Sequence, residues 1–389
     1  MKIEVKVSCP IHDSFRVRQL SGMFDVPITS CSERRFEVDF PRLDRAWRIG
    51  LIVGPSGSGK STLARRLFGD CLYTERSWSR DRAVIDCFGD RSLREVTAIL
   101  TSVGFSSPPS WLRPYHVLSG GERFRCDLAY ALSAWSDVHD VSGACELGES
   151  LEKERLEEES SEILSSEPLE SSFFGEGFPI VAFDEFTSVV DRNVAQIGSA
   201  AISKGIRSGL IEKRFVAVTC HADVESWLES DWVLDLSERM FHWRSVRRPS
   251  IELAIYRSSR EMWGVFKPHH YLSGGLNPTS HCFVAFWRGS PVSFCATLPQ
   301  MGIRGMRRIS RIVTLPDYQG IGIGSAFLRW VSEYYVSSGY RVSITTGHHG
   351  MISHCRRSPR WRCTSVRKTG GGASQGRSVV SFEYRHSQG

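Results

Sequence analysis

Residues 54–62 read Gly-Pro-Ser-Gly-Ser-Gly-Lys-Ser-Thr, between an apolar run ending at Gly54 and a segment with helical spacing from Ser61 to Phe68. A glycine-rich loop between a strand and a helix points backbone N–H groups into one concavity, where the helix N-terminus favours an anion. We therefore predict a phosphate site. Lys60 would reach the β- and γ-phosphates, and the Ser61 hydroxyl would bind Mg²⁺. The expected binding residues are Gly54, Pro55, Ser56, Gly57, Ser58, Gly59, Lys60, Ser61 and Thr62.

Outward from this loop, strand-like and helix-like segments alternate, which predicts an α/β core. The short apolar runs Phe178–Phe183 and Phe215–Thr219 are typical of buried parallel strands. Before the loop, residues 1–50 alternate apolar and polar residues in short pieces, which predicts antiparallel strands. The remaining predicted elements are a strand at Ala83–Phe88 and helices at Leu93–Val103 and Arg192–Ser208.

Three further elements in this half have functional side chains. Leu118-Ser119-Gly120-Gly121-Glu122 opens a helix, so Ser119, Gly120, Gly121 and Glu122 would form a second anion site. The strand Ile180–Phe183 ends in two carboxylates: Asp184 would hold Mg²⁺ and Glu185 would polarise an attacking water. His221 follows another strand, at the carboxyl end where α/β sheets bind ligands.

These elements, in this order, resemble the ABC ATPase family: phosphate loop, signature sequence, Walker B strand, D-loop at Ser188–Asp191, and histidine switch. The resemblance covers residues 1–243 and implies an ABC nucleotide-binding domain that hydrolyses ATP with Mg²⁺. Lys60, Glu185 and His221 would be its catalytic residues. It also implies an ATP-dependent head-to-tail homodimer, in which Ser119 and Gly121 of one subunit close over ATP held by the other.

The sequence departs from that family in two places. No Gln occurs between Ser61 and Ser119, where the family places one that contacts Mg²⁺; Asp86, near the predicted strand, is our expected substitute. Ser119 and Asp184 are 65 positions apart, more than the family needs. The excess coincides with an acidic stretch, which we predict to be a flexible insertion at about residues 144–177.

A second glycine loop follows an apolar strand near the C-terminal end. Residues 313–324 read Val-Thr-Leu-Pro-Asp-Tyr-Gln-Gly-Ile-Gly-Ile-Gly and lead into a predicted helix, Ser325–Tyr335. The dinucleotide fingerprint spaces its glycines as G-x-G-x-x-G, which differs from the alternation seen here. A pyrophosphate is expected on the amides of Ile321 to Gly324.

This loop closely resembles the acyl-CoA loop of GCN5-related N-acetyltransferases (GNAT), with Gln319 opening the Q-x-x-G-x-G pattern. The resemblance implies a smaller, mixed-sheet α+β domain at residues 251–365 that uses acetyl-CoA or another acyl-CoA. Val313 and Leu315 would hold the acyl carbonyl. The loop residues that would bind the cofactor are Gln319, Gly320, Ile321, Gly322, Ile323 and Gly324.

The catalytic acid and base of this second domain are less evident. The strand before the loop has no Glu, and no Tyr lies between Gly347 and Cys363, so two common family solutions are missing. We select His270 and Tyr271 from a group that also includes His269, His348, His349 and His354. The histidines could instead bind a metal or be surface residues. The His270–Tyr271 pair distantly resembles Mom-type phage DNA modifiers, a divergent branch of the superfamily.

Charge is distributed unevenly along the chain. Residues 244–389 contain 21 Lys and Arg against 5 Asp and Glu, although the whole chain carries only +6. Two interpretations stay open: the arginines contact nucleic acid, or they hold CoA phosphates and the acidic insertion. The arginines concerned are Arg304, Arg307, Arg308, Arg311, Arg356, Arg357, Arg360 and Arg362.

Composition sets the remaining expectations. No apolar run is long enough to span a membrane, so we expect no membrane insertion and a cytoplasmic protein. The 11 cysteines contain no C-x-x-C pair and indicate reduced thiols. Residues 244–250 are the predicted linker, and residues 366–389 a flexible tail in which Val379–Tyr384 could add an edge strand.

Together these patterns predict an ABC-type ATPase fused to an acyl-CoA-dependent N-acyltransferase, with ATP hydrolysis gating the engagement of substrate or nucleic acid. Two alternatives remain. In one, the second domain modifies nucleic-acid bases as Mom-type proteins do. In the other, it has lost its chemistry and binds its ligand under the control of the ATPase.

Overall fold

A computed structural model describes residues 2–10, 13–27, 31–73, 76–134, 171–244, 246–271, 275–369 and 377–385. The strands, in chain order, are β1 Lys2–Pro10, β2 Cys31–Asp39, β3 Ile49–Val53, β4 Leu72–Tyr73, β5 Ile180–Phe183, β6 Arg214–Thr219, β7 Trp232–Asp235, β8 Met240–Trp243, β9 Ala254–Ser258, β10 His281–Trp287, β11 Ser290–Pro299, β12 Met306–Thr314, β13 Arg341–Thr346, β14 Trp361–Thr369 and β15 Arg377–Tyr384.

The α-helices are α1 Phe15–Phe24, α2 Lys60–Phe68, α3 Leu93–Ser102, α4 Pro108–Trp111, α5 Gly120–Ala134, α6 Arg192–Arg207, α7 Glu225–Leu228, α8 Trp263–Phe266, α9 Ile323–Ser337 and α10 His349–Arg357. The chain divides into two compact units. The first comprises Met1–Glu75, Ala134–Val189 and Glu212–Arg247, and the second comprises Arg76–Ser133, Val190–Ile211 and Arg248–Gly389.

The first unit is built on a six-stranded sheet in the order β4-β5-β6-β3-β7-β8. All neighbouring strands are parallel except β7 and β8, which are antiparallel. Every residue of β3 and of β6 is buried, as expected for apolar strands covered on both faces. Trp232 packs so closely over Gly50 that a Cβ there would lie 2.1 Å from its ring, so only glycine is accommodated.

The antiparallel strands predicted for residues 1–50 are confirmed. β1 and β2 pair from Lys2 opposite Asp39 to Pro10 opposite Cys31. The sequence pattern missed α1, which lies between these two strands in the chain and begins after the N-cap Ser14. No residue of α1 is buried, so it lacks the apolar stripe that would have indicated a helix.

The second unit contains a seven-stranded sheet in the order β14-β15-β13-β12-β11-β10-β9. Neighbours are antiparallel except β12 and β13, which are parallel and are joined by α9. Trp263, Phe266 and Phe294 are among the buried residues of its core. This unit also contains α3, α4 and α6, so the compact units do not follow the predicted division at residues 243 and 251.

The strand predicted at Ala83–Phe88 is wrong, because residues Val84–Cys87 form a 3-10 helix. Val84 and Phe88 are the buried positions, and their spacing of four is helical rather than alternating. Asp86, our expected substitute for the missing Gln, is exposed on this turn.

The C-terminal residues also differ from the prediction. β15 lies between β14 and β13 in the sheet rather than at an edge, with Val380 and Phe382 buried. The part of the predicted tail at 377–384 is therefore ordered by pairing on both sides. Residues 144–170 of the predicted insertion lie outside the described residues. Its last part contains a 3-10 turn, Ser171–Phe174, whose Phe174 is buried against Phe68.

Candidate functional site

The glycine loop of the second unit joins β12 to α9. A 3-10 turn, Pro316–Tyr318, precedes Gln319, and α9 begins at Ile323. Gly320 and Gly322 have φ of 87° and 101°, a left-handed conformation that side chains disfavour. Gly324 is required for a different reason, because a Cβ there would lie 2.8 Å from Thr314 Oγ1. The loop thus presents the amides of the first turn of a 15-residue helix, which lack intrahelical partners.

β12 and β13 part just before this loop. Their parallel pairing runs only from Met306 opposite Arg341 to Ile309 opposite Ile344. On the other side of β12, the pairing with β11 skips Ser310, which marks a β-bulge at the same point. A cavity of about 390 Å³ lies where the strands separate, and residues from both strands and the glycine loop line it.

Six of the eight residues predicted to bind acyl-CoA line this cavity, and the other two, Leu315 and Ile321, do not. Its lining includes Val313, Gln319, Gly320, Gly322, Ile323 and Gly324. The side-chain amide of Gln319 is hydrogen-bonded to the end of β12: its Nε2 donates to the Thr314 carbonyl at 2.8 Å. Leu315 packs on the apolar core beside the cavity, and Ile321 is buried.

The two residues predicted to be catalytic, His270 and Tyr271, also line the cavity. Their rings stack with centroids 4.9 Å apart, and the ring of His348 lies 5.8 Å from that of Tyr271. The Tyr271 hydroxyl lies 3.4 Å from Thr346 Oγ1. The interpretation of the histidines as a metal site receives no support: among the residues with described positions, no group of three His, Cys, Asp or Glu could hold a metal ion.

The His348 ring makes two hydrogen bonds and is partly buried. Its Nε2 lies 3.3 Å from the Ser106 carbonyl, which can only accept a hydrogen bond, and its Nδ1 accepts from the Met351 N–H at 3.4 Å. These two contacts assign the Nε2–H tautomer. Burial lowers the pKa of His348, outweighing the opposite effect of the bond to Ser106. The side chain of His348 caps α10 through its bond from the Met351 N–H.

The arginines do not form one basic surface. Arg311 is partly buried in the cavity lining, and desolvation lowers its pKa. Two others pair with carboxylates, Arg360 with Glu333 and Arg362 with Glu383. Arg307 lies over the Tyr335 ring. The remaining four, Arg304, Arg308, Arg356 and Arg357, are exposed.

The first unit has its own loop site at the carboxyl edge of its sheet. Loop 54–59 follows β3, and its Gly57 and Gly59 have φ of 76° and 86°. Lys60 is buried, and its Nζ donates to the Pro55 carbonyl at 2.9 Å. A cavity of about 520 Å³ is lined by the loop and the start of α2 together with Glu185, Leu236, Arg239, Arg35 and Val38.

Asp184, Glu185 and His221 follow β5 and β6, which are consecutive neighbours of β3 in the sheet. Because these strands are parallel, their carboxyl ends share one edge, as the sequence predicted. Glu185 and the buried Thr187 both adopt positive φ, at 49° and 69°, a strain that is typical of functional positions. His221 Nδ1 lies 3.4 Å from Thr187 Oγ1, and Ser188 Oγ donates to Glu185.

The residues predicted to form a signature sequence, Ser119 to Glu122, lie at the start of α5 in the second unit. Glu122 is buried, and its carboxylate accepts bonds from both the N–H and the hydroxyl of Ser119, each at 3.0 Å. The Glu122 N–H in turn donates to Ser119 Oγ, completing a capping box. A Cβ on Gly121 would lie 3.1 Å from Asp317 Oδ1, so the signature turn packs against the second glycine loop.

Comparison with known families bears on the C-terminal half of the chain. Residues 238–354 match the family described as "Acetyltransferase (GNAT) family". This segment is a GNAT-family acetyltransferase domain. The match covers less than a third of the 389-residue chain and contains β12, the glycine loop and β13, so the loop geometry described above belongs to the GNAT domain.

Three solved acetyltransferase structures align with about a third of this chain at low sequence identity. An IAA acetyltransferase from Bacillus cereus is 16% identical with a TM-score of 0.27, over 35% of this chain and 100% of that chain. The ribosomal-protein-S18-alanine N-acetyltransferase from Escherichia coli is 13% identical with a TM-score of 0.30, over 34% and 93%. A Bacillus subtilis acetyltransferase in complex with CoA is 12% identical with a TM-score of 0.28, over 35% and 99%. No curated protein matches the chain.

Some contributors to the cavity lie outside the GNAT segment and were missed. Ser106, Ala201 and Lys204 line it, although the sequence assigned them to the ATPase. No local signal could have found them, because their role depends on packing between distant segments: Ser106 contacts Gln319 across 213 positions and Lys204 contacts Gly320 across 116. Within the described part of the chain, no helix combines the length and apolar character needed to cross a bilayer.

Proposed function

We propose that the second unit is an acyl-CoA-dependent N-acyltransferase. The observation that carries this proposal is the cavity of about 390 Å³ at the separation of β12 and β13, closed at one end by the amides of the glycine loop. The amides would hold the CoA pyrophosphate. The backbone at Val313–Leu315 would then face the acyl carbonyl.

The reaction joins an acceptor amine to the acyl group. The amine nitrogen attacks the thioester carbonyl carbon, the C–N bond forms, and the C–S bond breaks. His270 takes the proton that the amine loses, and Tyr271 gives a proton to the departing thiolate. Both side chains line the same cavity, and the Tyr271 hydroxyl lies within reach of Thr346 on β13.

Transfer of label from radioactive acetyl-CoA to spermidine, a lysine-containing peptide or double-stranded DNA tests this proposal on the full chain. Tyr271→Phe should reduce transfer by roughly 10²- to 10⁴-fold, the usual contribution of an acid or base. Tyr256→Phe is the matched control, because Tyr256 is exposed on β9 outside the cavity. CoA binding without transfer to any acceptor would instead support a domain that only binds its ligand.

We further propose that the first unit binds and hydrolyses ATP as an ABC-type module. Its support is the loop cavity, where Lys60 spans the phosphate loop and Glu185 lines the same space. Ser61 and Asp184 offer the hard oxygen ligands that Mg²⁺ prefers, so they suit that ion. Mg²⁺ would neutralise charge on the phosphates during hydrolysis. Glu185 would orient the attacking water and His221 would contact the γ-phosphate.

ATP turnover should disappear in Lys60→Ala and persist in Lys2→Ala, whose side chain is exposed on β1. Glu185→Gln should retain ATP and accumulate a head-to-tail homodimer with Ser119 and Gly121 at the shared interface. Sedimentation velocity with and without ATP measures that dimer. A variant that binds ATP yet stays monomeric would refute the dimer, and full hydrolysis by Lys60→Ala would refute the site.

A nucleic-acid acceptor, modified as by Mom-type proteins, is the competing proposal for the transferase. The absence of any Asp or Glu from the described lining of the cavity favours an acceptor with anionic groups. DNA binding should then weaken steeply with salt, and charge reversal at the exposed Arg356 and Arg357 should weaken it further. Salt-insensitive binding would contradict this alternative.

A further inference from the structure

Two segments outside the GNAT match hold the acyl-CoA loop. The first is the turn 103–106 after α3, where the Ser106 N–H donates to Gln319 Oε1 at 2.7 Å. The second is α6, where Lys204 Nζ donates to the Gly320 carbonyl at 3.0 Å. Both donors, Ser106 and Lys204, lie outside the 238–354 segment that matches the family. The loop is therefore fixed by parts of the chain that a separate GNAT domain would lack.

The packing between these segments leaves no spare space. A Cβ on Gly320 would lie 2.7 Å from Gly104 Cα and 2.8 Å from Ala201 Cβ. A Cβ on Gly104 would in turn lie 2.9 Å from the Gln319 carbonyl oxygen. Real Cβ atoms do not approach so closely, so glycine on both sides allows backbone to touch backbone. Such close contact transmits a change in one segment directly to the other.

α3 and α6 also form part of the cavity wall. Thr101 and Ser102 come from α3, and Ala201, Lys204 and Gly205 come from α6. The ring of His348, on the GNAT side, reaches the Ser106 carbonyl. The cavity is thus enclosed on one side by the GNAT strands and on the other by helices that precede the GNAT segment in the chain.

The charge around Lys204 suits an anion. Lys204 and Arg357 line the cavity together, and no Asp or Glu is found among the described residues of its lining. Desolvation lowers the pKa of Lys204, and the charges of Arg248 and Arg357 lower it further. The pKa of His354 is also lowered, first by burial and then by Lys204 and Arg357. The surroundings are electropositive, as expected beside a bound pyrophosphate.

The bond from Lys204 to Gly320 has a geometric consequence for the loop. The peptide between Gly320 and Ile321 is planar and trans, so its C=O and N–H point in opposite directions. By holding the carbonyl, Lys204 fixes the direction of the Ile321 N–H, the first of the amides expected to bind pyrophosphate. Gly320 could otherwise rotate, since glycine is the residue with the greatest backbone freedom.

We propose that the acyl-CoA site is composite: α3 and α6 complete it, and Lys204 is a positioning residue that orients the pyrophosphate-binding amide of Ile321. This proposal rests on the acyl-CoA binding proposed above. It assigns to Lys204 a role in recognising the pyrophosphate, which CoA and 3′-dephospho-CoA share, and none in recognising the 3′-phosphate, which only CoA has.

Calorimetric titration of the full chain with CoA and with 3′-dephospho-CoA tests the assignment. Lys204→Met should weaken both ligands by the same factor, about tenfold, because it removes one charge-assisted hydrogen bond worth about 1.4 kcal/mol on this scale. Lys204→Arg should restore most of the affinity for both. Lys267→Met is the matched control, since Lys267 is exposed and lies outside the cavity lining. Circular dichroism establishes that each variant is folded.

The outcomes separate the two proposals. If the unaltered chain binds neither ligand, the proposed acyl-CoA function fails and this inference fails with it. If the chain binds CoA and Lys204→Met binds it equally well, only the composite site is overturned. A loss confined to CoA would mean that Lys204 contacts the 3′-phosphate directly, which also contradicts a positioning role.

Discussion

Arg125 of α5 and Asp317 of the GNAT loop form an ion pair, with Nη1 3.4 Å from Oδ1, although 192 positions separate them in the chain. Arg125 is completely buried, and its Nε and Nη2 have no hydrogen-bond partner in the structure. Burial lowers the pKa of Arg125, and Asp317 is the first of the neighbours that oppose this effect. The buried cation Arg125 therefore ties α5 to the turn that precedes the second glycine loop.

Loss of the Asp317 carboxylate should destabilise the second unit. Asp317→Asn leaves the buried guanidinium without its anionic partner, and breaking such a pair typically costs about 3–5 kcal/mol. Because half of the Asp317 side chain is exposed, we expect a smaller cost, about 1–3 kcal/mol. Urea unfolding followed by circular dichroism measures the change in the free energy of unfolding.

A double-mutant cycle measures the coupling energy between Arg125 and Asp317 separately from the effect of each single substitution. Arg125→Met replaces the under-bonded guanidinium with an apolar side chain of similar length and should be nearly neutral. In the Arg125→Met background, Asp317→Asn should change the free energy of unfolding only slightly. Asp13→Asn, which breaks the exposed pair of Asp13 and Arg18, is the control and should not change unfolding measurably. Equal costs for Asp317→Asn in both backgrounds would contradict the coupling.

Gly104 offers a test of the contact between α3 and the acyl-CoA loop. Gly104→Ala places a Cβ 2.9 Å from the Gln319 carbonyl at a residue with φ of 85°, so the loop must shift. We expect CoA affinity to fall about tenfold, the equivalent of 1.4 kcal/mol and within the usual cost of overpacking. Gly209→Ala is the matched control, because Gly209 has φ of 73° but no atom within 4 Å of the added Cβ.

The two glycine substitutions carry similar backbone strain, so both should lower the free energy of unfolding, and overpacking should add a further loss in Gly104→Ala only. Only Gly104→Ala should change the calorimetric dissociation constant for CoA. If the two variants bind CoA equally well, the turn after α3 does not influence the loop.

Both glycine loops could be predicted from the sequence because their geometry is local. Gly59 and Gly322 each precede a helix in a left-handed conformation, and the residues on either side already specify strand and helix. The parallel strands β5 and β6 were equally evident, since a strand buried on both faces is mostly apolar, as in Ile180–Phe183 and Phe215–Val218. Their shared carboxyl edge then followed from topology alone.

Features that depend on distant contacts could not be predicted. The 3-10 turn at Val84–Cys87 was mistaken for a strand, because four apolar-rich residues do not distinguish the two periodicities. β15 was assigned to a tail because the glycine-rich stretch before it masks the pairing with β13 and β14. In the sequence, Lys204 is indistinguishable from any other basic residue on the polar face of an amphipathic helix. Its hydrogen bond to the Gly320 carbonyl is evident only in the folded structure.

His348 should make stability depend on pH. Its pKa in the folded protein lies below the ordinary value of 6.5, so between these values the unfolded chain binds more protons. The stabilising contribution is complete above pH 6.5 and is lost as the pH falls through the folded-state pKa. The free energy of unfolding should therefore be lower at pH 5.5 than at pH 7.5, by up to about 1.4 kcal/mol per pKa unit.

His348→Asn isolates this effect, since Asn retains an acceptor for the N-cap of α10 but does not titrate. The pKa values of His281 and His354 are lowered as well, so a residual pH dependence of the same sign should remain. The free energy of unfolding is measured against pH for the variant and for the unaltered chain. The difference between the two slopes gives the contribution of His348 to the pH dependence. Identical slopes would mean that His348 titrates normally in the folded state.

The positive φ of Glu185 predicts an opposition between stability and function in the first unit. Non-glycine residues in this conformation are strained, whereas glycine is not, so Glu185→Gly should stabilise the fold by up to about 1 kcal/mol while abolishing ATP turnover. Glu229→Gly is the matched control, because Glu229 has φ of 52° at the end of α7. It should be stabilised to a similar extent and should retain turnover. Thermal unfolding and phosphate release measure the two properties; a Glu185→Gly variant that gains stability and still hydrolyses ATP would remove Glu185 from the proposed mechanism.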